Sequence, residues 1–149
     1  MQRMTLVFVL LTGLFSNSSY AQNDHNKISN TEIVEKFLNG FNDKAKIEAS
    51  LALLAEDYKF KNPMILLESK SAFISLAQDM SKVLTAVNII RISENEDWVA
   101  VLYEFKSSIP GLESNIGTEW FKVENGVIQE SELIYDASEW RKVYEQMSK

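Results

Sequence analysis

The chain has 149 residues, a formal net charge of −6 and no cysteine, with 46% of its residues apolar. An acidic chain without a basic cluster is a poor match for nucleic acid or for an anionic membrane surface. Without cysteine there are no disulfides, so the apolar residues must build a core large enough to hold the fold alone.

Arg3 is the lone charge ahead of an apolar run from Thr5 to Phe15, which is too short to span a bilayer. Ser19-Tyr20-Ala21 follows with small-x-small spacing. Residues 1–21 are therefore expected to be an export signal cleaved after Ala21. The mature protein would lie in the periplasm or outside the cell, with no membrane contact. Residues 22–28 are expected to be a disordered leader, and His25 lies in it. The folded body, residues 29–149, is expected to be a single domain with neither histidine nor cysteine. That removes Ser-His and Cys-His nucleophiles and most zinc sites. No metal or cofactor is expected.

Ser29-Asn30-Thr31-Glu32 has capping-box spacing and predicts a helix carrying Val34, Phe37, Leu38 and Phe41 on one stripe. Lys46 to Glu56 predicts a second helix, with Ile47, Leu51, Leu54 and Ala55 inward. Asp57 to Pro63 alternates like a short strand that the proline ends. Ser69 to Lys82 predicts a third helix with Phe73, Leu76, Ala77 and Met80 on one side.

The period then changes from helical to alternating. Strands are predicted over residues 85–93, 98–106, 116–123 and 127–135. Asn125-Gly126 supplies the positive φ angles of a tight hairpin turn between the last two. Asp136-Ala137-Ser138-Glu139 is expected to cap a final helix bearing Trp140, Val143, Tyr144 and Met147. Helices followed by a run of strands predict an α+β fold, with a helical layer on an antiparallel sheet.

Glu119 stands out in this pattern. Its strand face is shared with Gly117, Phe121 and Val123, so the carboxylate must be paired, neutralised or set on a cavity. Two readings stay open. One is a cavity acid with a raised pKa; the other is a buried pair with Arg91, Lys106 or a tyrosine. Glu130 and Glu132 point to the opposite face from Ser131 and Leu133 and are assigned to solvent.

The order and spacing of these pieces resemble the nuclear transport factor 2-like superfamily, in particular its SnoaL-like and ketosteroid-isomerase-like members. The residues that carry the resemblance are the first amphipathic helix, Leu54 through Pro63, Gly117 through Val123, the Asn125-Gly126 hairpin and Tyr135-Asp136. It implies a cone-shaped α+β barrel, a curved sheet around helices with an apolar cavity at the open end.

The ketosteroid-isomerase pattern places an aspartate base where Asn62 stands and a first-helix tyrosine where Phe37 stands. At Glu119 it places a carboxylic acid that its apolar surroundings keep protonated, so that it donates a hydrogen bond. Asn62 cannot abstract a proton and Phe37 cannot donate one. The limonene-epoxide-hydrolase pattern places its acid at Leu133. The resemblance thus implies a pocket formed by Glu119, Asn62, Tyr103, Phe37, Tyr58, Phe121 and Leu133, with Glu119 as the candidate acid or base and no matched catalytic pair. Asn62 would either orient a ligand or bond nearby backbone.

The expected function is an exported domain that binds a small apolar ligand and has no catalysis of its own. The alternatives are an isomerase, cyclase or hydratase of the SnoaL-like kind, and a structural or interaction module. Trp98 and Trp120 on the outer sheet face suit a homodimer.

Overall fold

A computed structural model of the chain describes residues 28–147. The proposed signal, His25 and nearly all of the leader lie outside the described residues. Within them, four α-helices and one six-stranded sheet make up an α+β fold.

Helix α1 covers Asn30–Asn39 and starts as its capping box predicts. Ser29 Oγ accepts the Glu32 amide at 3.2 Å, and the Glu32 carboxylate accepts the Ser29 amide at 2.8 Å. The helix buries Ile33, Val34, Phe37 and Leu38. A single 3₁₀ turn at Gly40–Asn42 follows, and α2 covers only Ile47–Leu51. A Cβ built on Gly40 would fall 1.5 Å from Ser50 Oγ, so the missing side chain is what lets α2 fold back against the end of α1.

The second helix is much shorter than the periodicity predicts, because Leu54, Ala55 and Glu56 belong to strand β1, Leu54–Lys61. The physical reason is tertiary. Leu54 pairs with Ile128 and the Ile128 amide donates to the Leu53 carbonyl at 2.9 Å, which overrides a local preference for helix. A two-residue strand β2, Leu66–Leu67, returns against β1 and has no signature in the alternation. Helix α3, Lys70–Met80, is capped by Ser69 and buries Phe73 and Ala77.

Strands β3 (Leu84–Asn95), β4 (Trp98–Ser107), β5 (Ser114–Glu124) and β6 (Val127–Tyr135) form the predicted antiparallel meander. Asn125 and Gly126 take φ angles of 53° and 79° in the tight turn. The sheet order is β2-β1-β6-β5-β4-β3, and β1 runs parallel to β6, so the sheet is mixed where the sequence predicts it antiparallel. Register shifts at Ile89/Arg91 and Lys122/Val123 are bulges, which bend strands and strengthen their twist.

Helix α4 covers Ser138–Met147. Asp136 accepts the Ser138 amide at 3.0 Å, but Glu139 binds Lys142 instead of closing the predicted box.

The core lies between α1, α3 and the inner sheet face. Phe37, Tyr58, Phe121, Val99 and Val101 are fully buried there. Each such side chain stabilises the fold by roughly 1.5–3 kcal/mol.

Candidate functional site

A cavity of about 680 Å³ opens between the sheet and the helices. α1 contributes Phe37 and Leu38 to its wall, and α3 contributes Phe73, Leu76 and Ala77. Tyr103 and Phe105 come from β4, Leu133 and Tyr135 from β6, and Trp140 from α4. Exposed Asp79, Lys82 and Tyr144 mark its mouth.

Alternation along β5 turns Gly117, Glu119, Phe121 and Val123 inward, and all four are buried. Glu119 is only 4% exposed and lies on the cavity wall. Tyr103 donates its hydroxyl to Glu119 Oε2 at 2.7 Å. Ser131 donates to Oε1 at 2.6 Å. Since the Ser131 proton points at the acid, Tyr58 is the donor in the 2.6 Å bond between Tyr58 and Ser131. Three hydroxyls are thus aligned to feed one carboxylate. Of the partners considered from sequence, a tyrosine is the one present; Arg91 and Lys106 are exposed, and Lys106 approaches Glu104.

Burial pushes the Glu119 carboxyl up to about 7, against the Ser131 and Tyr103 hydrogen bonds, which favour the ionised form. Burial and the neighbouring Glu119 charge hold the Tyr103 and Tyr58 phenols well above their ordinary range. The group can therefore exchange a proton near neutrality while its tyrosines stay protonated.

The other predicted site residues divide clearly. Phe37 and Leu133 line the cavity, and Leu133 stands directly across the ladder from Glu119. Asn62 lines it too, but its Oδ1 accepts the amides of Met64 and Ile65 at 2.8 and 2.9 Å, so the oxygen serves the turn at Pro63. Tyr58 and Phe121 are fully buried and lie behind the wall, where Tyr58 supports Ser131 and Phe121 packs against Phe37 at 5.8 Å. Neither is among the residues that line the cavity; each packs edge-on against a ring that does, Phe121 against Phe37 and Tyr58 against Phe73.

Ser131, Phe105, Tyr135 and Trp140 were missed as site residues. Ser131 had one signal, a small hydroxyl on the inward face of the last strand beside the strand of Glu119. Phe105 reads from its strand as plain core. Tyr135 ends β6 on the face it shares with Ser131 and Leu133, which is its one signal, and Trp140 arrives on α4 from beyond the sheet, where alternation says nothing. Trp140 is fixed by Asn115 Oδ1 at 2.9 Å and stacks near Phe105 at 6.0 Å.

No protein-family model and no curated protein matches the sequence. Solved structures do match. A nuclear transport factor 2-like protein from Cytophaga hutchinsonii superposes with a TM-score of 0.64 and 18% identity, covering 79% of this chain and 96% of that one. A proposed polyketide cyclase from Xanthomonas campestris gives 0.58 and 23%, covering 74% and 92%. A protein with the ketosteroid isomerase-like fold from Catenulispora acidiphila, in complex with trimethylamine, gives 0.62 and 13%, covering 74% and 89%. At these identities the likeness defines the fold. The chain has the cone-shaped nuclear transport factor 2-like fold.

Proposed function

We propose that this protein binds a small molecule with an apolar body and one polar group, held in the cavity against Glu119 and Tyr103. The observation that carries the reading is a buried carboxylate on the wall of a largely apolar cavity, aligned by two hydroxyls. Cavities of this size with few convergent polar groups are the usual form of a small-molecule site. The complex of the Catenulispora protein with trimethylamine is consistent with a ligand-binding use of this fold. Binding is favoured over catalysis because the other titratable groups in contact with the acid are phenols, and Asn62 and Phe37 cannot move a proton.

A second reading has one specific support. A carboxyl near 7 is matched to general acid or base work on a small apolar substrate, as in an isomerase, cyclase or hydratase. Export of the mature chain, and a homodimer through the outer sheet face, remain part of the proposal. Native mass spectrometry of protein purified from its own host tests the first reading. A bound molecule that Glu119→Gln releases is the expected result, and an empty cavity in both forms counts against it.

A further inference from the structure

The polar groups that touch Glu119 are donors already in use. Tyr103 and Ser131 both point their protons at the carboxylate, and Tyr58 points its proton at Ser131. With the acid ionised, this part of the wall offers a ligand acceptors and negative charge, and its two nearest donors are engaged. A ligand that brings a carbonyl or carboxylate finds nothing there to donate to it.

The titratable groups facing the acid from the packed elements are Tyr103 on β4, Tyr58 on β1 and, beside Tyr103, Tyr135 on β6. None of these can carry positive charge. The cavity residues from α1 and α3 nearest the core are apolar: Phe37, Leu38, Phe73 and Ala77. At the mouth, Lys82 is engaged by Asp79 at 2.8 Å. Among the described residues no lysine or arginine forms an ion pair or hydrogen bond with the Glu119 carboxylate.

The rest of the wall is aromatic on two sides. Phe37 and Phe73 stand 6.2 Å apart on the helical side. Phe105 stands 5.6 Å from Tyr135 and 6.0 Å from Trp140 on the sheet side. Ring faces carry negative potential and attract cations, most strongly where water is excluded. A desolvated carboxylate without a counter-ion and a ring-lined cavity both favour the same kind of guest.

We propose that the cavity selects organic cations, an ammonium group on an apolar body, seated with its charge toward the Glu119 carboxylate and its substituents against the rings. This rests on the small-molecule reading above and names the ligand class for it. The ammonium supplies the missing counter-charge, and the hydroxyls keep their bonds to the acid.

The test uses phenyltrimethylammonium and its uncharged isostere tert-butylbenzene, titrated into the whole protein and followed by tryptophan fluorescence and by proton NMR of the probe. The charge of the first probe does not titrate, so any pH dependence belongs to the protein. At about pH 8 the cation is expected to bind about tenfold tighter than the isostere or better, and to lose about tenfold in affinity by about pH 6 as Glu119 takes up its proton. Glu119→Gln should abolish the preference and the pH dependence together. The wild-type pH profile carries the test even if that variant does not fold. Equal or tighter binding of tert-butylbenzene at the higher pH overturns the cation assignment and leaves the small-molecule reading standing. Binding of neither probe overturns the cation assignment and counts against the small-molecule reading as well.

Discussion

Tyr103 stands across the ladder from Gly117 and not from Glu119, so its hydroxyl reaches the acid diagonally, at 2.7 Å. Val101 occupies the position directly opposite Glu119. Diagonal neighbours lie within reach of an aromatic side chain, and residue 117 contributes no side chain to obstruct the contact. The position is also tight behind: a Cβ there would meet Leu133 Cδ1 at 3.0 Å and the Ile134 carbonyl at 3.3 Å. Sheet register thus decides which hydroxyl tunes the acid.

Tyr103→Phe removes a donor that favours the ionised carboxylate. The Glu119 pKa should therefore move up from about 7. A hydrogen bond to a charged group is worth about 1.5–3 kcal/mol, so the rise should be about one to two units. Carbon-13 NMR titration of the glutamate carboxyls measures it, and an unmoved Glu119 titration would contradict the arrangement.

Glu119 should also shape stability against pH. Its carboxyl is raised from 4.5 to about 7 in the folded chain. Between those values the folded protein keeps a proton that the unfolded chain has lost. Its contribution is complete below the unfolded value of 4.5 and is lost as pH rises through about 7, the loss amounting to about 3 kcal/mol once both states are ionised. The carboxyls of Glu104, Glu113 and Asp136 are lowered, chiefly through hydrogen bonds with Ser114, local backbone and Ser138 respectively, and act in the opposite sense. The comparison is therefore between wild type and Glu119→Gln, by urea unfolding at about pH 5 and about pH 8. The variant should lose less stability across that interval, and parallel behaviour of the two proteins would refute the assignment.

Gly40→Ala should destabilise the fold by about 2–4 kcal/mol, since the new methyl falls on the Ser50 side chain and separates α2 from α1. Adding Ser50→Gly vacates that space and should recover part of the loss, less about 1 kcal/mol for glycine in a helix. Denaturant midpoints of the single and double variants decide it. A single variant as stable as wild type, or a double variant no better than the single, would rule out this contact as the cause.

The meander was legible because its two middle strands alternate cleanly: Val99, Val101, Tyr103 and Phe105 turn in on β4, and Glu119 and Phe121 on β5. The start of β1 was not, because Leu54-Ala55-Glu56 reads as helix until Ile128 pairs with it from the far end of the chain. Glu119 itself was visible as an acid out of place. Its partners depend on register between strands, which alternation alone does not set. Ser131 stands across from Phe121, the next inward residue along β5 from Glu119, and the bulge at Lys122/Val123 helps to determine that offset. Tyr135 and Trp140 enter the cavity only once the sheet curves and α4 folds over it.

The outer sheet face carries Trp120, Ile116 and Ile134, which are 46%, 53% and 51% exposed. The proposed homodimer would cover them. Trp120→Glu should convert a dimer to monomer without changing the circular dichroism spectrum, as read by native mass spectrometry. A wild-type protein that is monomeric at all working concentrations removes this proposal.

The parallel pairing of β1 with β6 has a consequence for how the molecule is made. Tyr58 and Ser131, which complete the chain of hydroxyls behind Glu119, are 73 residues apart. Contacts of such long range are slow to form, because much of the chain must be brought into place first. A chain still emerging from the ribosome can form α1 and the β3–β4 hairpin, but it has no last strand on which to seat Tyr58. The polar centre of the cavity is therefore assembled late, and a truncation that removes β6 would leave the Tyr58 hydroxyl and Glu119 without their shared partner.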